Sequence, residues 1–218
     1  DRGKVDELYL SRTWNNSCSL KKTDLIRLSV VYQGEEVPYE YTATPSVLRF
    51  DSAHGYVEFC ISPGDTLRLR GKGVTLRCYA VMGGHEGSSS REDGTWEICF
   101  SMVSKFLFVP IKGKMRAQGG LNWMYQTPDP VTIEFSGETA DEVYEGAVHA
   151  YLSNGQKENY YADFDRLAGE AQRDYEAWAA KYPAVDAEFA ATREIATYII
   201  WSHVMPPSGQ LTSDMVFM

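Results

Sequence analysis

The sequence has little of what most recognisable catalytic or binding motifs require. Its 218 residues include only four cysteines and four histidines. Cys18, Cys60, Cys78 and Cys99 form no CxxC pair and have no closely spaced His partners, which sets aside a zinc site. Three of the four fall in strand-like runs, where a cysteine behaves as a small buried hydrophobe. There is no glycine-rich phosphate cradle after a strand, no HExxH and no GxSxG. No apolar run reaches eighteen residues, so no segment reads as a membrane-spanning helix. Basic clusters are also missing: the formal net charge is −9, whereas binding a phosphate backbone needs grouped Lys and Arg. Nucleic acid and membrane are therefore not expected partners, and no cofactor or metal is expected. The opening DRGKVDELYL lacks the apolar core of a secretory signal, as a processed N-terminus also would; cytoplasmic localisation is the expectation.

What the sequence does have is apolar and aromatic. It is 44% hydrophobic and 13% aromatic, with five Trp and fourteen Tyr, a composition that excludes disorder and suffices for one large domain with an appendage. From about residue 24 to 151 the period is two. DLIRLSVVY (24–32), GYVEFCIS (55–62), DTLRLRG (65–71), VTLRCYAV (74–81) and GTWEICFSM (94–102) read as strands, with further runs at 105–111, 121–126, 131–135 and 143–151. Val74, Leu76, Cys78 and Ala80 face one way, and Thr75, Arg77 and Tyr79 the other. Turn signals separate the runs at Ser62-Pro63-Gly64-Asp65, Gly71-Lys72-Gly73 and Glu92-Asp93-Gly94. Nine or ten strands with short turns predict an antiparallel two-sheet β-sandwich over 1–155 that needs no helix to cover it. Arg68 and Arg70, on one face of a strand, read as a solvated face.

Near residue 160 the period changes to 3.6. Phe164, Leu167, Ala171, Tyr175, Trp178 and Tyr182 draw one apolar stripe on a linker helix within 156–184, stopped by Pro183. A second helix is predicted from about Asp186, a candidate N-cap, to Val204, with Phe189, Ala196, Ile199, Ile200 and His203 on or near one face. Its latter half, IATYIIWSHVM, is apolar almost all round, which predicts burial within a larger helical body. The segment 185–218 then passes into a Pro/Gly-rich loop and fresh apolar residues with no polar close. The expectation is that a longer protein continues beyond it.

Few residues stand out as chemical groups. Asp163, Asp165 and Glu170 read as surface acids of the first helix, and Asp141, Glu142 and Glu145 as members of a solvated turn. His203 reads as a structural histidine and His85 as a loop residue. The best candidate site is the loop Met205-Pro206-Pro207-Ser208-Gly209-Gln210-Leu211-Thr212, which carries hydrogen-bonding side chains between rigidifying prolines at a helix end.

Three stretches carry a resemblance to a known family: GYVEFCISPGDTLRLRGKGVTLRC (55–78); FLFVPIKG (106–113) with TPDPVTIEFSGETADEVYEGAVHAY (127–151); and, most specifically, ATYIIWSHVMPPSGQLTSDMVFM (196–218). Together they resemble the N-terminal part of the bacterial glycoside hydrolases related to processing α-glucosidase and the trehalases, in which a β-sandwich precedes an (α/α)6 barrel. The resemblance implies that 185–218 begins the barrel and that the complete enzyme is an inverting α-glycosidase. In such an enzyme one carboxylic acid protonates the leaving oxygen while a carboxylate across the ring activates water. Neither carboxylate falls within these residues, so no catalytic residue is assigned. The implied partners are an oligosaccharide substrate and the rest of the same polypeptide. Gln210 and Thr212 are the candidate substrate hydrogen-bonding groups, with Phe217 and Met218 in the apolar wall of the pocket. The competing readings are a free-standing carbohydrate-binding sandwich, with Trp96, Trp123 or Tyr125 as exposed sugar platforms, and a purely structural protein.

Overall fold

The computed structural model describes residues 8–11, 24–62, 66–80, 85–100, 104–119, 131–151, 161–202, 204–205 and 215–216. It divides into two compact units, Asp1–Phe164 and Asp165–Met218. The strands of the first unit are β1 (Leu8–Ser11), β2 (Asp24–Tyr32), β3 (Glu35–Glu36), β4 (Glu40–Ala43), β5 (Leu48–Ser52), β6 (Gly55–Ser62), β7 (Thr66–Lys72), β8 (Thr75–Ala80), β9 (His85–Ser90), β10 (Trp96–Phe100), β11 (Ser104–Lys112), β12 (Lys114–Gln118), β13 (Thr132–Ser136) and β14 (Tyr144–Tyr151). One sheet has the order β1-β2-β8-β13-β12, with β3 on β2, and the other runs β4-β5-β6-β7-β14-β11-β10-β9. The pairings within both are antiparallel. The two-sheet sandwich expected from the period-two runs is the observed fold.

Alternation decides which side chains meet between the sheets. Ile26, Leu28 and Val30 of β2, Leu76, Cys78 and Ala80 of β8, and Ile133 and Phe135 of β13 are contributed by the first sheet. Phe50, Val57, Phe59, Leu69, Ile98, Phe106, Phe108, Tyr144 and Val148 answer from the second, forming one buried cluster. Two of the crossings between the sheets are tight corners. Gly73 joins β7 to β8 at φ +80° and Gly113 joins β11 to β12 at φ +82°, where a side chain would be strained. A Cβ at either would also lie 2.2 Å from the His54 carbonyl oxygen or 2.5 Å from that of Ser136.

The second sheet departs from expectation on its outer face. Thr66, Arg68, Leu107, Val109, Ala147 and His149 all point away from the sandwich core, yet all are buried. Arg68, read from sequence as solvated, is 1% exposed. Glu145 likewise lies in strand β14 rather than in a solvated turn. Part of the cover comes from residues 161–164 of the same unit, described below.

In the second unit α1 spans Phe164–Ala179 and α2 spans Ala190–Ser202, preceded by one 3-10 turn at Ala187–Phe189. The stripe predicted for α1 is present, with Phe164, Leu167 and Tyr175 buried. The helix ends four residues before Pro183, and Lys181 and Tyr182 close it by backbone bonds to the carbonyls of Trp178 and Ala179. Asp186 stands at the N-cap position of the 3-10 turn, but its side chain makes no capping bond. A two-residue ribbon pairs β15 (Val204–Met205) with β16 (Met215–Val216).

Candidate functional site

The loop singled out from sequence is closed at its base by that ribbon, in which Val204 pairs with Val216 and Met205 with Met215. Gln210 and Thr212 fall between the paired strands in sequence, and Phe217 and Met218 follow the second. All four lie outside the described residues, as do His203, Trp123 and Tyr125. The backbone of His85 belongs to β9, and its side chain is outside the description.

The helix leading to this ribbon is well described. Side chains, rather than close backbone packing, join α1 and α2. The Arg193 guanidinium donates to three carbonyl oxygens at the end of α1, those of Ala179 at 3.0 Å, Tyr182 at 2.9 Å and Pro183 at 2.9 Å. It supplies a second donor to the Ala179 carbonyl, which also accepts from the Tyr182 N–H, and donors to the Tyr182 and Pro183 carbonyls just beyond the helix. Tyr175 packs edge-on against Tyr198 (6.1 Å between ring centroids) and Trp201 (5.4 Å), and its hydroxyl reaches the Glu194 carbonyl at 3.4 Å. Burial beside Glu194 raises the Tyr175 phenol above its ordinary pKa.

These contacts fix which way α2 faces. Thr197 is its one buried residue among those described, and Arg193 and Trp201 flank it on the α1 side. At about 100° per residue, Ala191, Thr192, Ile195, Ile199 and Ser202 occupy the opposite side. That side carries no charge. Ile195 is 60% exposed and Ile199 51%. Sequence periodicity identified the apolar residues but not this orientation, because the tie to α1 is made by an arginine and three aromatic rings.

The second constellation lies on the outer face of the eight-stranded sheet. Glu58 spans two arginines, accepting from Arg49 Nη1 and Arg70 Nε at 2.6 Å each. Arg49 also grips Asp51, and it stacks 4.1 Å over the Tyr56 ring. Arg49 therefore holds its proton more firmly than usual, chiefly through its hydrogen bond to Asp51. One strand further, Glu145 accepts from buried Arg68 at 3.0 Å. The register places Arg49, Glu58, Arg70 and Glu145 in one row across β5, β6, β7 and β14. Positive and negative groups alternate along it, and the Glu58 carboxylate spends both oxygens on guanidinium groups. Such a row braces strands; it does not present a free acid and base across a cleft. Sequence reading missed the row because its members are distant in the chain. The only signal was the pair of arginines two residues apart on one strand face.

Two further sequence candidates take structural roles. Glu170 pairs with Arg166 one turn earlier at 2.5 Å. Trp96, offered as an exposed sugar platform, is instead half-buried and packed on the core, with its indole N–H buried and unpartnered. Its alternation in β10 directs it inward, alongside Ile98. Among the described residues no three His, Cys, Asp or Glu side chains are grouped as metal ligands. No helix among them is long and apolar enough to cross a membrane. Compared with known proteins, the sequence matches no family model and no curated protein.

Proposed function

We propose that this chain is the N-terminal accessory part of an inverting α-glycosidase acting on α-glucosides or related oligosaccharides. In this reading α2 is the first helix of an (α/α)6 barrel supplied by the rest of the polypeptide, and the catalytic acid and base belong to that barrel. One observation carries the reading. The side of α2 turned away from α1 is uncharged, with Ile195 and Ile199 exposed. A helix with apolar residues on the side opposite its packed face is the pattern of one lying between two layers of other helices. The sandwich followed by two helices agrees with the domain order that the resemblance implies. The loop on the β15–β16 ribbon, with Gln210, Thr212, Phe217 and Met218, is then assigned to the rim of the sugar pocket. Cytoplasmic placement belongs to the same proposal and is supported by the free, buried thiol of Cys78.

The free-standing carbohydrate-binding reading has less behind it, because Trp96 is committed to the core and an exposed apolar helix is a liability for a solitary module. The test uses the intact gene product and the 218-residue chain side by side. The intact protein is expected to hydrolyse an α-glucoside, with β-glucose appearing first in the proton NMR spectrum. The 218 residues alone are expected to be inactive and to bind an apolar dye through α2. An intact product that hydrolyses no α-glycoside, or a chain of 218 residues that stays monomeric and binds no dye, overturns the proposal.

A further inference from the structure

Arginine is among the residues least often buried, yet the Arg68 side chain is 1% exposed. Its guanidinium donates to the carbonyl oxygen of Ala162, to Glu145 Oε2 at 3.0 Å and, from Nε, to the carbonyl oxygen of Gly146 at 3.4 Å. Asp163 adds a favourable charge nearby. Two residues along the same strand face, the Arg70 guanidinium lies 4.2 Å over the Phe164 ring. Residues 161–164 alternate accordingly: Ala162 and Phe164 are buried, while Tyr161 and Asp163 are exposed. This short segment leads into α1.

We propose that Arg68 and Arg70 form a clasp holding residues 161–164 on the outer face of the eight-stranded sheet, with Arg68 as the positioning residue on which it depends. The argument is one of satisfied groups. A buried carbonyl without a donor costs about 1–3 kcal/mol, so the Ala162 carbonyl remains under cover only while Arg68 supplies one. Without it, the segment does better by lifting into water. The sandwich does not need the contact in the same way, because its core lies between the sheets, behind Arg68. The cation–π contact of Arg70 with Phe164 is a second, weaker hold. Opening the clasp would release the lead into α1 while leaving the sandwich folded. This inference does not depend on the glycosidase reading.

Chymotrypsin provides the test on the 218-residue chain, because cleavage after buried Phe164 requires local opening and tracks the open population. The product is identified by its mass, and cleavage after core residue Phe108 reports global unfolding. R68M is expected to accelerate the Phe164 cut at least tenfold and the Phe108 cut less than twofold. R68K retains the charge but loses the planar fork, and should give an intermediate acceleration at Phe164 alone. If R68M fails to fold, R68K decides the matter. An unchanged rate at Phe164 in the folded variants overturns the clasp. So does parallel acceleration at Phe164 and Phe108, which would make Arg68 a general fold element.

Discussion

Replacing Gly71 with alanine tests how closely the core face of the eight-stranded sheet is packed. Gly71 sits on β7 directly opposite Tyr144 of β14, and the Tyr144 ring, 0% exposed, folds back over it. A Cβ at Gly71 would lie 2.4 Å from the Tyr144 hydroxyl oxygen, 2.5 Å from Cζ and 2.8 Å from the Tyr56 carbonyl oxygen. Carbon atoms in comfortable contact stand about 3.5–4 Å apart, so the ring would have to move by about 1 Å within a close-packed core. Overpacking of this kind costs about 1–3 kcal/mol. The upper end applies here, because a strand carbonyl blocks the other direction. For a domain of this size about 3 kcal/mol lowers Tm by roughly 6–12 °C. Urea unfolding followed by tryptophan fluorescence should show a lower midpoint with an unchanged slope. The partner substitution Tyr144→Leu should cost about 2–4 kcal/mol by itself through the space it empties. In that background much of the Gly71→Ala penalty should disappear, giving a coupling of at least about 1 kcal/mol. The reasoning fails if Gly71→Ala is within about 0.5 kcal/mol of the parent, or if the two substitutions are additive.

Three further outcomes follow from charged groups. Glu58→Gln places an amide against one of two half-buried guanidinium groups and should cost about 1–3 kcal/mol in urea unfolding, whereas Lys114→Ala, which removes an exposed pair with Glu138, should cost less than about 0.5 kcal/mol. Asp93 accepts from the Thr95 hydroxyl at 2.6 Å and the Thr95 N–H at 3.0 Å, bonds that hold its carboxyl below the usual aspartate range. A depressed folded pKa gives stability that is present above the unfolded value, about 3.9, and is lost as pH falls through the folded one; NMR titration should therefore place Asp93 low, and Thr95→Val should raise it. Arg193→Met removes the donors to three α1 carbonyls and should lower the thermal stability of the helical unit without shifting the unfolding of the sandwich, read by helix and strand bands in the infrared.

The sandwich was legible where one face of a strand is apolar and the other polar. In β8, Leu76, Cys78 and Ala80 alternate with Thr75, Arg77 and Tyr79, and the structure buries the first set. Two of the strands that sequence reading passed over, β4 and β9, lack that contrast. All four residues of β4, Glu40–Ala43, are exposed, so no apolar periodicity marks it, and its pairing with β5 alone holds it in the sheet. β9, with the sequence HEGSSS, is similar: it is extended because β10 templates it, not because its own residues prefer a half-buried face. Within the site, the ribbon below the Gln210 loop could not have been read from two isolated dipeptides, Val204-Met205 and Met215-Val216.

At Arg68 and on α2, polarity and burial part company in opposite senses. At Arg68 a charged side chain is fully buried; on α2 three isoleucines are exposed. Local pattern cannot foresee the first, because the cover comes from residues 161–164, almost a hundred positions away in the chain. It did foresee the apolar character of the second, but not the side on which it would stand. Energetically the two differ. The Arg68 inversion is resolved within the chain, since the guanidinium has carbonyl and carboxylate partners and is not left as an uncompensated buried charge. On α2 the isoleucines stay exposed among the described residues. Covering a side chain such as Ile195 or Ile199 contributes about 1.5–3 kcal/mol when burial is complete, and each is already about half-covered. A layer packed on that face would therefore gain a few kcal/mol. Sequence polarity marks the two places differently: the charge at Arg68 is buried with its partners, whereas the uncharged face of α2 is apolar surface on which packing would be favourable.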